Sequence, residues 1–313
     1  METVENNYGS TSYPPKPVLV ERNSNNLTRS LISLFIYALL FYFLFDRNIA
    51  YIAAVLLVLL IHEFGHFFAM KIYNYQNVKL FIIPLLGAMV TGKKQTVSQK
   101  QMSIIVLAGP FPGMVMGFVL YYINHFFQND SIKLLANTFV FINLFNLLPI
   151  YPLDGGRFLE NLFLKNNFVI RVVFTIISVF GLIILIILSG NFIMLLVPGI
   201  MIFELYNEIK NQKIREYLDQ EKIGYKTEYV SLADRSYWLI RDCILFSFQK
   251  KYAAVKPGFY QYSVMESMLL HHVTTILKAD FKDDLSSFQK GAFLFIYFLF
   301  LIILPVIAVV LMY

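Results

Sequence analysis

Apolar residues run in long blocks along this chain instead of recurring at strand or surface-helix spacing. A spanning helix needs roughly 20 mostly apolar residues. Blocks near residues 30–46, 49–71, 102–123, 132–150, 168–189, 192–207 and 291–312 meet or approach that length. The block at 192–207 is short and contains Pro198. Another apolar piece, Val78–Val90, holds Pro84 and Gly87 and is too short and broken to span. It predicts a re-entrant loop or a short β-hairpin at membrane depth, with its backbone satisfied by protein or water. The pattern predicts an all-α polytopic membrane protein with about seven transmembrane helices and a short membrane-embedded hairpin.

The polar stretches divide the rest. Residues 1–28 are rich in Asn, Ser and Pro and read as a disordered cytoplasmic N-terminus with no signal peptide. The apolar core covers 29–207. Charges of both signs return in 208–290 together with Trp238, which predicts a small, mostly helical cytoplasmic domain before a C-terminal span at 291–313. Ser231–Asp234 and Ser263–Glu266 each have capping-box spacing before a helical stretch. Lys71, Lys79, Lys93, Lys94 and Lys100 flank the link after the second span; Arg157, Lys165 and Arg171 lie after the fourth; Lys210, Lys213 and Arg215 follow the sixth. The positive-inside rule then places the N-terminus in the cytoplasm and the C-terminus outside.

Composition agrees with this reading. Of 313 residues, 58% are hydrophobic and 15% charged, against roughly 25% charged in soluble domains. Mean hydropathy is +0.61. The net charge of +6 reflects topology and contact with anionic lipid, not nucleic acid, for which no motif is present. One cysteine, Cys243, excludes an intrachain disulfide.

The chemistry-bearing feature is His62-Glu63-Phe64-Gly65-His66, inside the second span. Residues four apart share a helix face, so both imidazoles can reach one ion. Glu63 is rotated by one position and can face a water on that ion without ligating it. This is the HExxH arrangement, two nitrogen ligands for one Zn2+ and an adjacent general base. Packed histidines and a buried carboxylate are the bland alternative, but ionisable groups at bilayer depth cost several kcal/mol unless paired or ligated. A catalytic zinc needs a third protein ligand. Asp154 follows the fourth span in Asn146-Leu-Leu-Pro149-Ile-Tyr-Pro152-Leu153-Asp154-Gly155-Gly156-Arg157. The second and fourth spans run in the same direction, so Asp154 reaches the depth of the histidines; a helix N-cap in an ordinary turn is its other reading.

The two motifs, His62–His66 and Asn146-x-x-Pro149-x-x-x-Leu153-Asp154-Gly155, resemble the site-2 protease family of intramembrane zinc metalloproteases (peptidase M50 type) over roughly residues 45–207. The resemblance implies His62, His66 and Asp154 as zinc ligands, Glu63 as catalytic base and Asn146 as a contact to the substrate backbone. Ala108-Gly109-Pro110 and Pro112-Gly113 look like the family's small-residue motif, without its usual nearby polar residue. Val78–Val90 matches the membrane-embedded hairpin that holds an extended substrate strand. The implied activity is cleavage in or near transmembrane segments of membrane proteins, single-pass ones foremost, in the bilayer of a prokaryotic inner membrane. Residues 208–290 and the last span lie outside the resemblance, and the oligomeric state is not readable. Rival readings are a polytopic transporter and a catalytically silent relative that binds membrane proteins; concentration of the polar residues at one constellation speaks against the first, the intact ligand set against the second. His125 reads as solvated in an outer turn, His271 and His272 as surface residues, and the Gly113–Gly117 spacing as close helix packing.

Overall fold

A computed structural model describes residues 13–19, 49–83, 87–164, 167–190, 192–303 and 306. The block at 30–46 lies outside the described residues. The chain forms two compact units, residues 23–205 with 281–313, and residues 1–22 with 206–280. The first contains the long apolar helices; the second holds shorter helices. Asp284, in the first, accepts hydrogen bonds from Ser98 Oγ (2.6 Å) and Lys100 N (3.0 Å), which ties this stretch to the apolar unit.

In the first unit, α1 (Ile49–Ile72) leads into an antiparallel hairpin of β1 (Gln76–Ile83) and β2 (Gly87–Lys93). Leu80 pairs with Val90 and Phe81 with Met89, and the register is irregular between Gln76 and Lys79, where Asn77 has a φ of 49°. Of the two alternatives for this segment, the hairpin is the one that forms. There follow α2 (Gln99–Leu107), α3 (Pro110–Phe127), α4 (Asp130–Asn146), α5 (Asp154–Leu159) and α6 (Phe168–Ser189).

Among the described residues, three stretches are long and apolar enough to cross a membrane: Ile49–Ile72, Gln99–Phe127 and Phe168–Ser189. Other expected spans differ. The block at 132–150 becomes α4, 17 residues capped by the Asn129 side chain and ended at Asn146. Pro149 and Pro152, which have no N–H to donate, follow in a turn over 147–153. The block at 192–207 is a 3-10 turn, Phe192–Leu195, followed by α7 (Leu196–Gln220). Pro198 sits in the first turn of α7, where a missing N–H costs nothing. His125 lies in the last helical turn of α3, not in a loop.

Helices α3 and α4 pack closely through Gly117; a Cβ there would lie 2.7 Å from Val140 Cγ2. This is the close packing that the Gly113–Gly117 spacing predicts. The apolar stretch near the C-terminus starts as α10 (Ser287–Phe298), after a capping box between Ser286 and Gln289. Its Tyr297 is fully buried, stacks on Phe158 at 5.1 Å and donates to Leu147 O at 2.5 Å. Phe300 stacks on Phe111 at 3.9 Å. The last apolar helix therefore braces the turn that carries Asp154, a role the sequence left unassigned.

The second unit has α8 (Asp234–Ser247) and α9 (Glu266–Ile276) around a core of Tyr237, Trp238, Ile240, Leu269 and Val273. Its buried Arg241 forms a two-bonded pair with Glu266, Nε to Oε1 and Nη2 to Oε2, each 3.1 Å. Tyr237 OH donates to Glu266 Oε1 at 2.5 Å. Burial alone would push the Glu266 carboxyl up, but the Tyr237 and Arg241 bonds hold it below its usual value. Half of the expected Ser263–Glu266 capping box forms, since Ser263 N donates to Glu266 Oε2 at 3.0 Å. The Ser231–Asp234 box does not. Asp234 is already the first residue of α8, and its Oδ1 accepts from Lys16 N at 3.0 Å. His272 is half-buried, not a surface residue: its Nδ1 lies 3.1 Å from Tyr252 OH and its ring packs edge-on against Phe248. Residues 13–19, expected to be disordered, lie extended across this unit, held by bonds from Trp238, Tyr229 and Tyr262.

Candidate metal centre

Helix α1 carries His62, Glu63 and His66 on the side facing its neighbours, and all three are buried although α1 is apolar throughout. Phe64 and Phe68 take the opposite, exposed face. Asp154 opens α5, with Leu153 as the N-cap, so it is not the capping residue. Asp154 is 7% exposed. Its Oδ2 lies 2.9 Å from His62 Nε2 and 3.2 Å from His66 Nε2, and the two Nε2 atoms are 3.2 Å apart. The structure thus brings together the three residues expected as ligands, and they form a group whose ligand atoms can hold a metal ion.

The outward nitrogens decide what the inward ones are. His62 Nδ1 is 2.8 Å from Asn143 Oδ1, and His66 Nδ1 is 2.8 Å from Ile105 O. Asn143 is itself oriented, because its Nδ2 donates to Phe139 O at 2.7 Å. Both partners of the imidazoles are therefore acceptors, and each Nδ1 must carry its proton. In the neutral ring each Nε2 is then a bare lone pair. Two lone pairs and a carboxylate oxygen within 3.2 Å of one another repel unless a proton or a metal cation lies among them. The donor set fits zinc: two imidazole nitrogens, one carboxylate, and acceptors behind the histidines that set their tautomers.

Sequence reasoning missed Asn143. It sits one helical turn before Asn146, so the signal was a second asparagine on an apolar helix. Asn146 itself does not touch the histidines. Its Nδ2 donates to Ile142 O at 3.0 Å, and the residue lines the cavity in front of the site. Gly109 gives the small-residue motif a physical role. A Cβ at that position would overlap His66 Nε2 and lie 2.9 Å from His62 Nε2, in the space the ligand atoms enclose. At Gly113 a Cβ would lie 2.6 Å from Asn143 Cγ. A further buried network ties α2 to the π-helical turn Glu160–Leu164 that follows α5: Gln99 Nε2 donates to Asn161 O (2.9 Å), and Asn161 Nδ2 donates to Ser103 Oγ (2.8 Å) and Gln99 O (3.0 Å).

The cavity in front of the site has a volume of about 600 Å³. His62, Glu63, His66 and Asp154 form one wall, Val90 of the hairpin and Asn146 contribute, and Arg157, Glu160, Met201 and Glu204 complete it. A carboxylate beside a metal-binding trio, at the edge of a cavity that one strand of a hairpin reaches, is an arrangement suited to hydrolysis of an extended polypeptide.

The family model of peptidase family M50 matches residues 50–133, which include α1, the hairpin, α2 and α3. A stretch of the chain is 32% identical over 123 residues to Zinc metalloprotease MJ0392 of Methanocaldococcus jannaschii, covering 36% of this chain and 35% of that protein. Stage IV sporulation protein FB of Bacillus subtilis is 30% identical over 118 residues, 36% of this chain and 39% of that one. The chain thus spans little more than a third of the length of these two relatives. A solved structure, Site-2 Protease from Methanocaldococcus jannaschii, aligns with a TM-score of 0.43 at 23% identity, covering 58% of this chain and 88% of that one.

Proposed function

We propose that this chain is an intramembrane zinc metalloprotease of the site-2 type, which hydrolyses peptide bonds in or near transmembrane segments of membrane proteins. The observation that carries the reading is the pair of tautomer-locked histidines, whose two Nε2 atoms meet Asp154 Oδ2 at 2.9 and 3.2 Å. His62, His66 and Asp154 are the metal ligands. Zinc bound there supplies Lewis acidity and brings the pKa of a water to about 7.

The chain's own groups do the rest. Glu63 takes the proton of the attacking water and returns it to the leaving amine. Asn146 keeps one amide proton free after bonding Ile142 O, and donates it to the substrate carbonyl. A transmembrane helix hides its peptide bonds in its own hydrogen bonds, so the substrate segment must unwind. Strand addition to the β1–β2 hairpin, whose Val90 lines the cavity, stabilises the opened segment.

The topology belongs to the same reading. About seven spans, an N-terminus in the cytoplasm and a site in the cytoplasmic half of a prokaryotic inner membrane follow from the basic residues that flank the apolar blocks. The substrate is a single-pass membrane protein. The test is Glu63→Gln in the full chain reconstituted with candidate substrates. Zinc content should stay at one ion per chain while cleavage disappears; cleavage by that variant at the wild-type rate would sink the assignment.

A further inference from the structure

The second unit contains a feature that the proteolytic reading does not use. Residues Tyr13-Pro14-Pro15-Lys16-Pro17-Val18-Leu19 lie across it with no helix or strand of their own, and none of them is fully buried. Three of their carbonyls accept bonds from aromatic side chains. Trp238 Nε1 donates to Pro14 O (2.7 Å), Tyr262 OH to Pro15 O (2.8 Å) and Tyr229 OH to Pro17 O (2.6 Å). Tyr13 packs on Tyr260 with ring centroids 4.8 Å apart.

Within 14–17, three of the four carbonyls and the one amide donor are matched. Proline has no N–H, so Lys16 holds the one amide donor within 14–17, and Asp234 Oδ1 accepts it at 3.0 Å. The Lys16 ammonium reaches three carbonyls just before α8: Tyr229 O and Val230 O at 2.9 Å each, and Leu232 O. A polyproline segment makes no internal hydrogen bonds, and its rigid backbone loses little entropy when docked. A surface that offers aromatic donors to its carbonyls and one acid to its single N–H is built to recognise such a segment. Tyr13 and Leu19 pack on the core of the unit, while Pro15 and Val18 point to solvent.

We propose that the unit formed by residues 206–280 is a receptor for proline-rich peptides of the Pro-Pro-Lys-Pro type, with Tyr13–Leu19 as its resident and displaceable ligand. A partner segment of the same chemistry binds by replacing it, with one peptide per chain. The inference stands independently of the protease assignment.

Trp238 is the single tryptophan of the chain and sits under the segment, so its emission reports occupancy and folding of this unit alone. The test uses the full chain in detergent, with a specific protease site in place of residues 23–26. After folding, the chain is cut, and a labelled peptide with the sequence of residues 11–22 is added. Anisotropy and Trp238 emission are followed. Uptake should reach one peptide per chain after cutting. The uncut chain should bind at least about tenfold more weakly, because its tethered segment competes at high effective concentration. Peptides carrying Lys16→Glu or Pro17→Ala should each lose about tenfold or more in affinity. Equal uptake by cut and uncut chains, equal binding of a scrambled peptide, or a segment that never exchanges would overturn the proposal. So would a cut chain that releases its segment and shifts Trp238 emission to the value in denaturant, since the segment would then be part of the fold.

Discussion

Replacing Asn143 by leucine removes the acceptor behind His62 and leaves the side-chain volume nearly unchanged. Asn143 is fully buried, and its Oδ1 is 2.8 Å from His62 Nδ1. Without it, the Nδ1–H has no partner in an apolar setting, a cost of about 1–3 kcal/mol. The imidazole can lower that cost by moving its proton to Nε2 or by turning, and either change removes a lone pair from the metal site. Loss of such an outer partner typically weakens metal binding by about 10–100-fold, or about 1.4–2.8 kcal/mol. The two estimates agree, so most of the hydrogen bond's value should appear as zinc affinity. The assay is competition with a chromogenic chelator, on protein purified in detergent. Asn143→Asp is the control: it keeps an acceptor at the same place and should bind zinc no more weakly than wild type. Asn146→Leu should leave zinc affinity within about twofold of wild type but slow cleavage. Wild-type zinc affinity in Asn143→Leu would refute the tautomer argument.

Other perturbations separate the site from its supports. Gly109→Ala places a methyl among the ligand atoms, so zinc affinity should fall by about tenfold or more while helicity by circular dichroism is kept. Full zinc loading would contradict the geometry. Arg241→Met strands the buried Glu266 carboxylate and should cost about 3–5 kcal/mol in the urea unfolding of the second unit, followed by Trp238 emission. Adding Glu266→Gln to that variant should restore part of the loss; no recovery would mean that packing, not charge, dominates. Burial pushes the His272 imidazole down to about 4, with Lys251 and His271 adding to it. Its folded pKa lies below the unfolded value, so its contribution is full above about pH 6.5 and is lost as pH falls towards about 4. Urea midpoints across that window should fall less steeply in His272→Gln than in wild type, and parallel curves would remove His272 as the cause.

The meeting of His62, His66 and Asp154 was legible because the bilayer makes buried ionisable groups costly without a shared partner, and few arrangements supply one. The hairpin was legible from Pro84 and Gly87, which rule out a span. Asn143 was not, because two asparagines one turn apart on α4 look alike until tertiary depth decides which one meets His62. The ends of α4 and α7 were misjudged for a local reason: apolar residues continue past Asn146 into a proline-broken turn, and polar residues continue α7 as far as Gln220. The docking of Tyr13–Leu19 was hidden for a different one. Its partners lie more than 200 residues away, and a polar, proline-rich stretch has no periodicity that reveals them.

Gly109 closes the metal centre on one side as tightly as any side chain could. The cavity beside the ligand trio is lined by Asn146 and Val90 among others. A metal-chelating inhibitor would bind from that cavity. Its binding group must be flat enough to lie beneath the glycine backbone, and its bulk must extend along the hairpin. If the proposed activity holds, selectivity against soluble zinc proteases would then rest less on the zinc-binding group than on an extended, strand-forming tail.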